Sequence, residues 1–157
     1  MKTLILASQS PRRSEILKNA KIFFVPFPVY VSEIPDENLS LNEQIIDIAR
    51  RKAKACYDLY PGKPSDHVIL ACDTMVCING NTGPKALGKP ESEEDAIQTL
   101  EHLSGRPHEV KTALVLIDCR TTKMISHIET TKVYFKKLQL EEIKQYVATG
   151  EPLDKAG

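Results

Sequence analysis

The chain has no surplus of charge of either sign: 21 Lys and Arg stand against 21 Asp and Glu in 157 residues. General binding to nucleic acid or to a membrane surface favours a basic excess, so any positive charge that matters here is local. Long apolar runs are also missing. None approaches the roughly 18 residues of a membrane span, and the short apolar run after Met1-Lys2-Thr3 is too brief for a signal peptide. Cys56, Cys72, Cys77 and Cys119 form no C-x-x-C pair. Cys56 and Cys72 read as core residues, and a reduced, cytoplasmic chain is the expectation. His67, His102, His108 and His127 lack zinc spacing. With neither G-x-x-x-x-G-K-S/T nor G-x-G-x-x-G, the chain has no P-loop and no dinucleotide fingerprint. No repeat or low-complexity linker divides it, and its length fits one domain with a proper core.

What is present begins near the start. Leu4-Ile5-Leu6-Ala7 is an apolar run, followed by Ser8-Gln9-Ser10-Pro11-Arg12-Arg13 and a helical stretch to Ala20. Ser10 suits an N-cap and Pro11 the first helical position. Arg12 and Arg13 then fall in the first turn, where cations oppose the helix dipole at a cost of a few tenths of a kcal/mol each. Two arginines, exposed backbone N–H groups and two hydroxyls are poor for helix stability and good for an anion, above all phosphate.

The pattern predicts strands at 3–7, 22–27 and 68–72, with an extension of the last through Met75 to Ile78 left open, and helices at 11–19, 42–59, 91–103 and 139–148. Strands are also predicted at 110–117 and 125–135, joined by a polar turn, and Asn79 to Pro84 is turn chemistry. These elements imply an α/β fold with a mixed central sheet flanked by helices. Asp73-Thr74 directly follows the buried strand, at the strand end where open α/β sheets bind ligands. A carboxylate there holds a divalent metal or orients a water. Lys52 lies on or beside the apolar stripe of its helix, so it either snorkels to water or meets a buried anion. Lys89, between Gly88 and Pro90, meets a phosphate or is one more loop lysine. Glu33 sits in an acidic loop of the kind that is usually solvated. Gly105 fits the C′ position of the third helix, and Arg106 after it is structural or touches substrate. Several cations, separated carboxylates and no nucleophile paired with a base point to a polyphosphate ligand, a divalent metal and attack by water.

These residues resemble the Maf family of nucleoside triphosphate pyrophosphatases, related in fold to the inosine triphosphatases (the Maf/Ham1 fold). The matching segments are LILASQSPRR (4–13), Glu33, ARRKA (49–53), ACDTMV (71–76), GKP (88–90), LSGRPHEVKT (103–112), ETTKVYF (129–135) and YVATGEPLDKAG (146–157). The resemblance implies hydrolysis between the α and β phosphates, releasing a monophosphate and pyrophosphate with Mg²⁺ or Mn²⁺. By motif, Ser8, Arg12, Arg13, Lys52 and Lys89 would bind phosphates. Asp73 would be metal ligand or base, Glu33 would assist with metal or water, and Lys52 would join both in the catalytic group. Arg12 and Thr74 resemble the branch acting on dTTP, UTP and similar nucleotides. The family is also linked to septum formation and restraint of cell division, and a homodimer is implied by resemblance alone. On this reading residues 1–157 are a single Maf-like domain from which the usual C-terminal part is missing. A non-catalytic nucleotide-binding regulator of division is the alternative, and a nucleotidyltransferase is disfavoured because Ser8-Gln9-Ser10 has no glycine.

Overall fold

A computed structural model describes residues 2–62, 65–80 and 83–155. The elements run β1 (Thr3–Leu6), α1 (Pro11–Asn19), β2 (Phe24–Pro26), α2 (Leu41–Leu59), β3 (His67–Gly80) and β4 (Gly83–Leu87). There follow α3 (Glu93–Leu103), β5 (Pro107–Asp118), β6 (Met124–Tyr134), α4 (Leu140–Val147) and a 3₁₀ turn over Glu151–Asp154. The strand order is β2-β1-β3-β5-β6, with β4 paired to β3 off that path. Parallel β1–β2 and β1–β3 ladders with an antiparallel β3–β4 ladder make the sheet mixed, as the alternation of elements predicts.

The chain groups into two compact units. The first holds residues 1–73 and 112–129. Its parallel ladder pairs Thr3 with His67 through Leu6 with Leu70. A strand buried on both faces reads as a continuous apolar run, and Ile5, Leu6, Ala7, Ile69, Ala71 and Cys72 are all buried. The same unit buries the apolar stripe of α2: Ile45, Ile48, Ala49, Ala53 and Cys56. A capping box starts that helix. The Ser40 hydroxyl accepts from Glu43 N–H, while the Glu43 carboxylate accepts from Ser40 N–H at 3.0 Å.

The second unit holds residues 74–111 and 130–157. Its core is made where α3 meets α4: Ala96 and Leu100 pack with Ile143 and Val147. Burying a side chain such as Leu100 contributes about 1.5–3 kcal/mol. Ser92 caps α3 by accepting from Asp95 N–H at 3.1 Å, and Gly105 takes φ +67° just past its end, as predicted.

Three expectations need correction. The Ser10 side chain makes no capping bond on α1, although Ser10 occupies the N-cap position and Pro11 follows it. Instead Ser10 N–H donates to Ser8 Oγ at 3.2 Å. Asp73-Thr74 does not follow the strand but lies inside β3, which runs unbroken for 14 residues. The ladder to β1 ends at Leu70, so Asp73 still falls beyond the carboxyl end of the parallel pairing. Finally, residues 83–87 form β4 rather than loop, because Val76–Gly80 offers them an antiparallel edge. The predicted turn between these strands includes Asn81 and Thr82, which lie outside the described residues.

Candidate active site

The first unit gathers five of the residues picked from the sequence. Ser8 follows β1 closely and is buried. Arg13, in the first turn of α1, turns back over it and donates from Nη1 to Ser8 Oγ at 3.1 Å and to Cys72 O at 2.9 Å. The guanidinium is thus fixed between the end of β1 and the middle of β3, not left to swing in solvent. Arg12, one residue earlier, is exposed.

Lys52 is the centre of the charged cluster. Its place on the buried stripe of α2 takes the ammonium inward, with the residue only 9% exposed. It does not snorkel. Nζ meets Asp73 Oδ1 at 2.8 Å and Glu33 Oε1 at 2.7 Å. Two carboxylates on one ammonium leave the trio one negative charge in excess. Breaking such a pair strands a charge in a poor solvent, which is why buried ions are almost always matched. Glu33 is the more exposed carboxylate, with its side chain 57% accessible. The acidic loop is therefore solvated, as sequence suggests, and still places this one residue on the lysine.

Burial pushes the Asp73 carboxyl above its ordinary range, with the negative Glu33 adding to the rise and the Lys52 hydrogen bond and Arg13 opposing it. The Cys72 thiol is also pushed up by burial, and Cys56 more so, to about 12. Protonated thiols are weak nucleophiles, so the chemistry at this site falls to oxygen and nitrogen groups. Thr74 and Lys89 belong to the second unit. Thr74 is an exposed residue of β3, and Lys89 is exposed in the segment between β4 and α3.

Three supports were not anticipated from sequence. Cys72 matters through its carbonyl, a backbone role that carries no residue signature. Gln9 Nε2 donates to Val29 O at 3.4 Å, tying the chain after β1 to the loop that leads to Glu33. Arg51 donates to two carbonyls of that same loop. Its only sequence signal is adjacency to Lys52 in ARRKA.

Donor chemistry suits a hard divalent cation: the cluster offers carboxylate oxygens and neither imidazole nor thiolate. Among the described residues no group of three or more His, Cys, Asp and Glu could hold a metal unaided. A cation at Asp73 and Glu33 would thus need water and substrate oxygens for its remaining positions, the usual situation of Mg²⁺ beside phosphates.

The family model described as "Maf-like protein" matches residues 3–157. A protein of Bdellovibrio bacteriovorus named dTTP/UTP pyrophosphatase is 50% identical over 155 residues, which is 98% of this chain and 79% of that one. One of Alkaliphilus oremlandii, with the same name, is 42% identical over 160 residues, covering all of this chain and 78% of its own. Among solved structures, a Vibrio cholerae protein aligns with 96% of this chain and 78% of that chain at a TM-score of 0.47 and 11% identity, too loose a likeness to carry an argument.

Proposed function

The chain belongs to the Maf-like family, and from that premise we propose that it is a nucleoside triphosphate pyrophosphatase acting on dTTP, UTP or closely similar nucleotides. The products are the nucleoside monophosphate and pyrophosphate. The observation that carries this reading is the convergence of Ser8, Arg13, Lys52, Glu33 and Asp73 in one unit.

Each residue has a defined task. Arg13, held by Ser8 and the Cys72 carbonyl, presents fixed positive charge to the phosphates, together with the N-terminus of α1. Arg12 adds an exposed cation for the phosphate chain and Ser8 a hydroxyl; for Lys89 and Thr74 only the family motif supports a phosphate or substrate role. Lys52 holds Asp73 and Glu33 in place and offers the reacting phosphate a desolvated ammonium. Asp73 is the key carboxylate, as metal ligand or as acceptor of the proton from the attacking water. Its raised pKa moves it toward the range in which a carboxylate serves as a base at neutral pH. Mg²⁺ or Mn²⁺, held by Asp73 and Glu33, would neutralise phosphate charge and polarise the reacting phosphorus centre.

The test is product identity. The protein is incubated with a panel of canonical and modified triphosphates plus Mg²⁺ or Mn²⁺, and pyrophosphate, monophosphate, diphosphate and orthophosphate are separated. Monophosphate and pyrophosphate in equal amounts, fastest from dTTP and UTP, is the expected result. Diphosphate plus orthophosphate contradicts the proposed bond cleavage. Binding without any product favours a nucleotide-sensing regulator instead.

A further inference from the structure

Glu33 is the odd member of the charged cluster. Ser8, Arg13, Lys52 and Asp73 come from strands, helices or their immediate ends. Glu33 comes from the stretch between β2 and α2, which has no helix or strand of its own. A side chain on such a segment has many positions open to it, and ordering each residue costs about 1–2 kcal/mol of backbone entropy. Yet Glu33 Oε1 stands 2.7 Å from Lys52 Nζ. Something must hold the segment on both sides of it.

Arg51 meets that requirement. Its Nη1 donates to the carbonyl of Ser32 and its Nη2 donates to the carbonyl of Ile34 at 2.9 Å. These are the main-chain carbonyls of the residues immediately before and after Glu33. A guanidinium is a rigid planar fork, so two bonds from one such group fix the spacing and orientation of both acceptors together. One turn back on α2, Asp47 Oδ2 lies 3.0 Å from Arg51 Nε as an ion pair, without a hydrogen bond. The next residue along the same helix is Lys52, the partner of the Glu33 carboxylate. One helical turn thus grips the main chain around Glu33 with one side chain and its carboxylate with the next.

We propose that Arg51 is a positioning residue for the reaction: it sets Glu33 on the Lys52–Asp73 pair without touching substrate. The proposal rests on the pyrophosphatase reading for its kinetic consequence and on geometry alone for its mechanical one. Small displacements of a supporting carboxylate are costly in rate because the reacting geometry must be held within a fraction of an ångström. Lysine cannot replace Arg51, since one ammonium does not reproduce the fork across the two carbonyls.

The experiment compares wild type, Arg51→Ala, Arg51→Lys, Glu33→Gln and the double variant Arg51→Ala/Glu33→Gln, with two readouts. The first is pyrophosphate release from dTTP. Arg51→Ala and Arg51→Lys are expected to lower kcat by roughly tenfold or more with KM within about threefold. The double variant is expected to be no slower than Glu33→Gln alone, because Arg51 acts through Glu33. Losses that multiply in the double variant, or kcat within twofold of wild type in Arg51→Ala, overturn the kinetic role. The second readout is limited proteolysis by chymotrypsin, for which Tyr30 is an exposed site in the segment. Arg51→Ala should speed cleavage after Tyr30 several-fold or more while helix content and the melting temperature stay near wild type. An unchanged cleavage rate there overturns the clamp. A loss of helix content together with a drop in melting temperature would make Arg51 a general prop of α2, which also overturns it. If wild type releases no pyrophosphate, the pyrophosphatase reading fails, and the proteolysis arm still decides whether Arg51 holds the segment.

Discussion

The two units differ in what they bury. Among the described residues, the first buries Ser8, Lys52 and Asp73 alongside its apolar core, whereas the second buries one polar side chain, His108. That imidazole stacks edge-on against Phe135, with ring centroids 4.7 Å apart. Around it the second unit is conventional: Ala96, Leu100, Ile143 and Val147 form an oily contact between α3 and α4. Apolar burial of that kind stabilises in proportion to area and asks little of exact geometry. Buried charge is different. An ion pair removed from water roughly breaks even at best, and a well-packed apolar trio would serve stability as well or better. A unit that keeps Glu33, Lys52 and Asp73 together is accepting poor stability return for a defined electric field at one place. The contrast agrees with the proposal that the chemistry belongs to the first unit.

Substitutions sharpen this contrast, and the largest effect is expected at its centre. Lys52→Met leaves Asp73 buried without its cation. Unfolding in urea should show a loss of about 3 kcal/mol, toward the low end of what breaking a buried pair costs because Glu33 is partly exposed. Pyrophosphate release should fall by about a hundredfold or more. A Lys52→Met protein of wild-type stability would mean that the cluster is not tightly coupled.

The matching change in the second unit is Leu100→Ala. Removing this buried side chain should cost about 2–5 kcal/mol, as cavities in cores do. Per folded molecule, kcat should remain within about twofold of wild type. An activity loss as deep as that of Lys52→Met would erase the distinction between the units.

Asp73→Asn is expected to remove turnover while leaving nucleotide affinity by calorimetry within a fewfold, since the phosphate-facing cations remain. Its stability should carry a pH signature. The folded pKa of Asp73 lies above its unfolded value of 3.8, so the folded state binds more protons and stability from this group rises as pH falls. Relative to Asp73→Asn, wild type should therefore gain stability as pH drops from above the raised pKa toward that unfolded value. A gap between the two proteins that stays constant over this window would show that burial of Asp73 imposes no such cost. The smallest effect belongs to Lys89→Ala, an exposed residue. KM for dTTP should rise several-fold with stability changed by no more than about 0.5 kcal/mol. No change in KM would remove Lys89 from the phosphate contacts.

How far the sequence revealed this site depended on how local each signal was. The α1 boundaries followed from the order of apolar strand, Ser10, Pro11 and a helical run, and the structure gives Pro11–Asn19. The stripe of α2 put Lys52 on or beside the apolar face because spacing of 3 and 4 fixes a helix face, and left open whether its ammonium snorkels to water or meets an anion. That same spacing could not say which anion waited there, since Glu33 and Asp73 are 19 and 21 residues away. Asp73 was misplaced at a strand end because the apolar run stops at Cys72. The strand in fact continues past it, with Val76–Gly80 paired to β4, and a pairing partner is not written in the strand's own residues. The roles of the Cys72 carbonyl and of Arg51 were least legible. Both depend on backbone groups, which every residue carries alike.

The claim beneath all of this is that the buried charge in the first unit is there to cleave a nucleotide. It is tested most directly by following pyrophosphate and dTMP from dTTP with wild type and Asp73→Asn at equal, saturating nucleotide occupancy. The account predicts one pyrophosphate per dTMP from wild type and nothing above the blank from Asp73→Asn. A near-normal rate from Asp73→Asn would contradict it.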